Sequence, residues 1–275
     1  MSYRAFIRDP ERDCAVVAHR GAWHGAPENS LAAIQRAIDL GVDIVELDIR
    51  QSADGVLFLM HDATLSRMAG LDREAESCTM DELRSLRLRQ GNGGEHQEVT
   101  DQRIPTLDEA LELIRGRIFA DLDLKDRGLF PQVAAAARRL DAADHIDLKT
   151  EIATQTDLDW VRAQDIDGIA FMAMARFAAE NIQDKLALMA PLAPFMAEIR
   201  FDQLDTIAAN RDHFRAAGMA LWKNTLDQAN SGDWTDTAAL ENPDRIWGRL
   251  VDAGISCIQT DQPEALKTYL NGRRQ

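Results

Sequence analysis

Glu46 and Asp48 stand two apart in "VELDI", inside an otherwise apolar run. On a strand, positions i and i+2 share a face, so both carboxylates project together. Two unpaired carboxylates on a buried face repel each other and are costly to desolvate. One hard divalent cation, Mg2+ or Ca2+, answers both costs, because such ions take oxygen ligands. The pattern returns in "ADLDLK", where Asp121 and Asp123 share a face and Lys125 comes next along it. A single acid-x-acid pair is more simply read as solvated charge on an edge strand. Two of them, both at strand ends among apolar residues, shift the balance toward a metal.

His19 and Arg20 close the first strand-like run in "AHRG", and His61 closes "GVLFLMH". A lone strand-end His is usually structural, satisfied by a backbone bond. Two imidazoles, an arginine and a carboxylate cluster together form the parts of phosphoryl-transfer chemistry. A metal and Arg stabilise phosphoryl oxygens, one His takes a proton and the other gives one.

The elements that must position these residues alternate along the chain. "CAVVAH" is strand-like, and "ENSLAAIQRAIDLG" is a helix capped by Asn29 or Ser30 and ended by Gly41. "VDIVELDI", "GVLFLMH" and "RIFADLDL" read as strands, with "TLDEALELI" a helix before the last. Strands are expected at "HIDLKTEI", "GIAFMA", "PFMAEIRF", "MALWKN" and "SCIQT". Helices are expected at Phe130–Leu140, "QTDLDWVRAQ", "FAAENIQDKLA", "LDTIAANRDHFRAAG", "PDRIWGRLVDAG" and "PEALKTYL". About eight β/α units in 275 residues suit a single (β/α)8 barrel spanning 1–275. A doubly wound open sheet competes, but no GxGxxG opens the first helix. Residues 68–103 are too polar and too long for an ordinary loop, and read as an insertion.

Composition narrows the partners. Asp and Glu number 46 against 31 Lys and Arg, a net charge of −15, which opposes nucleic acid or an anionic membrane as the main partner. Cys14, Cys78 and Cys257 lack CxxC spacing and read as reduced thiols. With no apolar leader segment in "MSYRAFIRDPERD" and no stretch of membrane-spanning length, the expected location is the cytoplasm. A homodimer stays open.

"AHRGAWHGAPENSLAAIQRAIDLGVDIVELDIRQSADGVLFLMHDATLSR" strongly resembles the amino-terminal signature of the glycerophosphodiester phosphodiesterase family. The likeness continues in "IPTLDEAL", "DLDLK", "ALWKN" and "GISCIQTDQPEAL", dense up to Lys125 and sparse from Asp126 to Ala217. The resemblance implies a TIM barrel that hydrolyses phosphodiesters. By it, Glu46 and Asp48 are metal ligands, and Asp123 matches the third ligand, a position where the family usually has Glu. His19 and His61 match the acid/base pair, and Arg20 the phosphate clamp. Lys125 would lie beside the phosphate, Glu28 and Asn29 in the first substrate-binding loop, and Trp222 along the glycerol. An ordinary core aromatic explains Trp222 almost as well. The implied reaction is metal-dependent release of sn-glycerol 3-phosphate and an alcohol from a small-molecule glycerophosphodiester. A lysophospholipase D or cyclising phospholipase on the same scaffold is an alternative, and a non-catalytic binding barrel is one of another class.

Overall fold

A computed structural model describes residues 1–228 and 232–273. Nine strands form its sheet: β1 (Ala15–His19), β2 (Ile44–Gln51), β3 (Leu57–Leu59), β4 (Phe119–Leu124), β5 (Ile146–Glu151), β6 (Ala170–Phe177), β7 (Met196–Phe201), β8 (Ala220–Asn224) and β9 (Cys257–Thr260). Their order is β1-β9-β8-β7-β6-β5-β4-β2-β3, with β1 also paired to β2. Eight parallel strands with helices between them close as a (β/α)8 barrel, and β3 is an extra antiparallel partner of β2. The chain divides into two compact units, Ala18–Ile146 and Met1–Val17 with Asp147–Gln275.

In the Ala18–Ile146 unit the helix Leu31–Asp39 starts where Ser30 Oγ accepts from the Ala33 amide. It buries Ala33, Ile34 and Ala37, and left-handed Gly41 follows it. Thr106 and Glu109 cap the helix Leu107–Ile114 reciprocally. β2 and β4 run parallel, with Glu46 opposite Asp121 and Asp48 opposite Asp123. The Ser52–Val56 turn sends β3 back along β2, its positive φ falling on Gly55. Residues 68–103 add the 3-10 turn Ala75–Ser77 and the short helix Met80–Ser85, with the helix Ser66–Ala69 at their border. Met68, Cys78, Leu83 and Leu88 pack there with Phe58 and Leu65 into a cluster of buried side chains.

In the other unit β6, β7, β8 and β9 pair in parallel, and a polar network joins side chains of β5, β7 and β8. Lys149 Nζ donates to Glu198 Oε2 (3.1 Å), Asn224 Nδ2 to Glu198 Oε1 (3.1 Å) and Trp222 Nε1 to Asn224 Oδ1 (2.6 Å). The helix expected over "LDTIAANRDHFRAAG" is split at Asn210 into Leu204–Ala209 and Arg211–Ala216. Asn210 Nδ2 donates back to the Thr206 carbonyl, a local bond that competes with the helical ladder. The helix expected from "FAAENIQDKLA" begins only at Ile182, because Asn181 Oδ1 accepts from the Ala178 amide and holds a turn there. Among the described residues no helix is long and apolar enough to cross a membrane.

Candidate active site

His19 is the last residue of β1, and the chain then turns sharply. Arg20 takes a left-handed φ of 55° and Gly21 one of 81°. A Cβ on Gly21 would lie 2.8 Å from Ala33 Cβ, so only glycine lets this turn approach the helix that follows. A left-handed non-glycine residue costs roughly 1–2 kcal/mol. Arg20 is held in that state by its own bonds. Its amide donates to Glu46 Oε2 (3.1 Å), and its Nη1 donates to Glu28 Oε1 and Oε2 (3.0 and 3.1 Å). Its Nε lies 3.3 Å from Asp48 Oδ2.

Asn29, also left-handed with φ 53°, faces Asp48 with both ends of its amide. Nδ2 donates to Asp48 Oδ2 (2.7 Å), and Oδ1 accepts from the Asp48 amide (3.0 Å). Asn tolerates this backbone state better than most residues, which is one reason for its type here.

The acids are gathered as their spacing implies. One ligand oxygen each from Glu46, Asp48 and Asp123 lies within 4.8 Å of the others. Glu46 and Asp48 are buried, at 2% and 1% exposure, while Asp123 is half-buried. Lys125 Nζ bridges two of them, 2.6 Å from Asp48 Oδ1 and 2.6 Å from Asp123 Oδ2. Burial alone would push the Asp48 carboxyl up, but Lys125, Arg20 and His61 hold it well below the usual carboxylate range. Burial lowers Lys125, and Asp48, Asp123 and Glu46 outweigh it to raise the ammonium above its ordinary value. The donor set is all oxygen, and it already attracts a positive group between two of its members. Those two properties fit a hard divalent cation held by Glu46, Asp48 and Asp123.

The imidazoles differ in their surroundings. His19 Nε2 lies 4.0 Å from Glu46 Oε2. His61 Nδ1 is 2.7 Å from Asp62 Oδ1, an arrangement that leaves the lone pair on Nε2 when Nδ1 carries the hydrogen. Two arginines brace this pair. Arg50 Nε and Nη2 donate to the His61 carbonyl (3.2 and 2.8 Å), and Arg67 donates to both oxygens of Asp62. Burial raises the Asp62 carboxyl, but the Arg67 and His61 hydrogen bonds bring it down to about 2.

The Ala18–Ile146 unit thus brings together His19, Arg20, Glu28, Asn29, Glu46, Asp48, His61, Asp123 and Lys125. Trp222 belongs to the other unit, where it is fully buried and donates to Asn224 and Gln259. Asp62, Arg67 and Arg50 carry no role in the motif reading. Asp62 and Arg67 stand within "HDATLSR", so the signal was their place beside His61, and Arg50 lies on the carboxylate strand itself, two residues after Asp48.

Residues 19–154 match the model of the Glycerophosphoryl diester phosphodiesterase family, and 171–270 match one described as a domain of unknown function. Glycerophosphodiester phosphodiesterase 1 of Mus musculus is 40% identical over 120 residues, 43% of this chain and 36% of that protein. A glycerophosphodiester phosphodiesterase of Caldanaerobacter subterraneus is 38% identical over 104 residues, 38% of this chain and 42% of that protein. The chain therefore spans less than half the length of either relative. In fold it is similar to a glycerophosphoryl diester phosphodiesterase from Parabacteroides distasonis, with a TM-score of 0.80, 21% identity, and coverage of 98% of this chain and 90% of that one. It is also similar to an Oleispira antarctica phosphodiesterase solved with the product sn-glycerol-3-phosphate, with a TM-score of 0.67, 24% identity, and coverage of 94% and 96%. At these identities the structural likeness concerns the fold, and the sequence match carries the kinship: residues 19–154 belong with the glycerophosphoryl diester phosphodiesterase family.

Proposed function

We propose that the protein hydrolyses glycerophosphodiesters to sn-glycerol 3-phosphate and an alcohol, using His19 and His61 for proton transfer and a divalent cation held by Glu46, Asp48 and Asp123. The observation that carries this reading is the Lys125 and Arg20 cations beside the buried carboxylate cluster, with both imidazoles in the same unit. Kinship over residues 19–154 supports the reaction class, as does the Oleispira antarctica relative, whose structure holds sn-glycerol-3-phosphate.

A phosphodiester brings one negative charge, and charge builds on its non-bridging oxygens as the phosphorus is attacked. Arg20, fixed by Glu28, binds those oxygens with the part of its fork that its carboxylates leave over. Lys125 adds a second positive charge beside them. A bound Mg2+ or Ca2+ supplies further positive charge at this point. One imidazole takes the proton of the attacking hydroxyl, that of water or that on the neighbouring glycerol carbon; in the second case the cyclic phosphate that forms is then opened by water, with the two imidazoles exchanging roles. The other gives a proton to the departing alcohol oxygen as its bond to phosphorus breaks. Asn29 keeps Asp48 facing the cluster from behind, as outer-shell partners of metal ligands do. We also read residues 1–275 as one domain with a small insertion at about 68–103, supported by the coverage of the Parabacteroides distasonis likeness.

The test is release of glycerol 3-phosphate by the purified chain, before and after EDTA treatment and again with Mg2+ or Ca2+ added back. Turnover that disappears with EDTA and returns with the ion is expected. Undiminished turnover in metal-free protein removes the metal from the proposal, and no turnover under any condition removes the reaction.

A further inference from the structure

The His61 pair and the Arg20 clamp are joined by one side chain. Arg67 Nε donates to Asp62 Oδ2 (2.7 Å), and its Nη2 donates both to Asp62 Oδ1 (2.9 Å) and to Glu28 Oε1 (2.7 Å). Asp62 passes that constraint to His61 Nδ1 at 2.7 Å, and Glu28 passes it to Arg20 Nη1 at 3.0 and 3.1 Å. Arg67 is itself pinned. Its Nη1 donates to the Asn92 carbonyl, and its own carbonyl accepts from the Gly94 amide (2.8 Å). Gly93 comes so close that a Cβ there would sit 2.7 Å from the Arg67 carbonyl oxygen.

We propose that Arg67 is the positioning residue that sets His61 and Arg20 in fixed relation to each other, with the 68–103 segment as its anchor. The inference rests on the phosphodiesterase reading for its kinetic consequences, but not for its geometry. A guanidinium suits the task because its planar fork presents several donors in one rigid frame, and here it serves two carboxylates at once. An ammonium on the same stem is a point charge that cannot reproduce both contacts. The alternative is that these are ordinary partly exposed ion pairs, which contribute little to anything. The two differ in what they predict for the reaction.

If Arg67 positions His61 through Asp62, its loss moves the imidazole relative to the phosphorus, and a displacement of that kind costs about 10²-fold in rate. Through Glu28 it also loosens Arg20, which raises KM. Arg67→Ala is therefore expected to lower kcat about 10²-fold and to raise KM, and free guanidinium ion should recover part of kcat. Arg67→Lys should fall between the two. On an Asp62→Asn background, Arg67→Ala should add little further loss in kcat yet still raise KM, because only the Glu28 branch remains to be broken.

Thermal melting of each variant separates misfolding from mispositioning, and NMR gives a readout that needs no turnover. The hydrogen-bonded Nδ1 proton of His61 should resonate downfield in the wild type, vanish in Asp62→Asn, and shift or broaden in Arg67→Ala and Arg67→Lys. Wild-type kcat and KM in both Arg67 variants would overturn the proposal. So would an unchanged His61 signal, full additivity with Asp62→Asn, or failure of both Arg67 variants to fold, which would make the residue a support of the fold alone. An inactive wild type with the expected NMR changes would sink the phosphodiesterase reading and leave the positioning role standing.

Discussion

Lys125→Met removes the ammonium that bridges Asp48 and Asp123 while keeping most of the volume of its stem. The Asp48 side chain is 1% exposed, so its charge stays desolvated once that partner is gone. Removing one member of a buried pair costs about 3–5 kcal/mol. Arg20 Nε at 3.3 Å and Asn29 Nδ2 at 2.7 Å still face the carboxylate. With those partners left, a loss of roughly 2–3 kcal/mol is expected for metal-free protein at neutral pH. The sign of its pH dependence follows from Asp48, whose folded-state carboxyl is held below its usual value. An acid lowered by folding adds stability above its unfolded value, and that contribution is lost as pH falls. The deficit of the variant should therefore be full at pH 7 and shrink below about pH 4, where carboxyl protonation begins. Divalent cation should then act unequally on the two proteins. Binding at 100 times the dissociation constant adds about 2.7 kcal/mol, and in the wild type Lys125 competes for the same oxygens. Urea denaturation of EDTA-treated protein, with and without Mg2+ or Ca2+, measures all of this. Equal stability of variant and wild type without metal, or an equal gain from metal in both, would refute the reasoning.

Two further changes probe the frame around the site. Gly93 has φ +74°, and a Cβ there would lie 2.6 Å from Met68 Sδ and 2.7 Å from the Arg67 carbonyl oxygen. Gly93→Ala should therefore cost about 1–3 kcal/mol and lower the melting temperature, and an unchanged melt would contradict the packing. Asp236 accepts from the Thr225 and Thr260 hydroxyls and the Asp261 amide, yet burial outweighs these bonds and pushes its carboxyl up to about 6. An acid raised by folding gives stability that is complete below its unfolded value and is lost as pH rises through the folded one, here by up to roughly 3 kcal/mol. Asp236→Asn should lack that loss, so denaturation of both proteins at pH 4.5 and 7.5 should show the wild type losing ground to the variant, and parallel behaviour would exclude the effect.

What was legible in the chain follows the reach of local rules. Strand alternation fixes the direction of side chains two apart, so Glu46 with Asp48, and Asp123 with Lys125, could be placed on shared faces from spacing alone. Cap chemistry located the helix starts at Asn29 or Ser30, of which Ser30 is the cap, and at Thr106, for the same reason. Arg67 escaped because its partner Glu28 lies 39 residues away, and the Gly91–Gly94 loop, bonded to the backbone of both, belongs to neither local pattern. The break at Asn210 escaped because helical periodicity continues across it, and a side-chain bond to Thr206 decides against it. β3 reads as a strand like the others, since an apolar run has no mark that tells an antiparallel partner of β2 from a member of the parallel barrel.

Asp123 illustrates how register settles what residue type alone leaves open. At this position the resemblance leads one to expect Glu, and an aspartate carboxylate reaches about one methylene less far from its strand. In parallel β2 and β4, Asp48 and Asp123 are direct neighbours across the ladder, so their Cβ atoms start from the same level of the sheet. Two short acids placed side by side converge without the extra methylene, and Lys125 Nζ touching both at 2.6 Å demonstrates that convergence. Glu46 is the longer acid, and it stands one pleat earlier, opposite Asp121. Its additional methylene gives it the longer reach from that level, and one oxygen from each of the three acids lies within 4.8 Å of the others. Length and register therefore compensate each other: the acid farthest back is the long one, and the two level with each other are short.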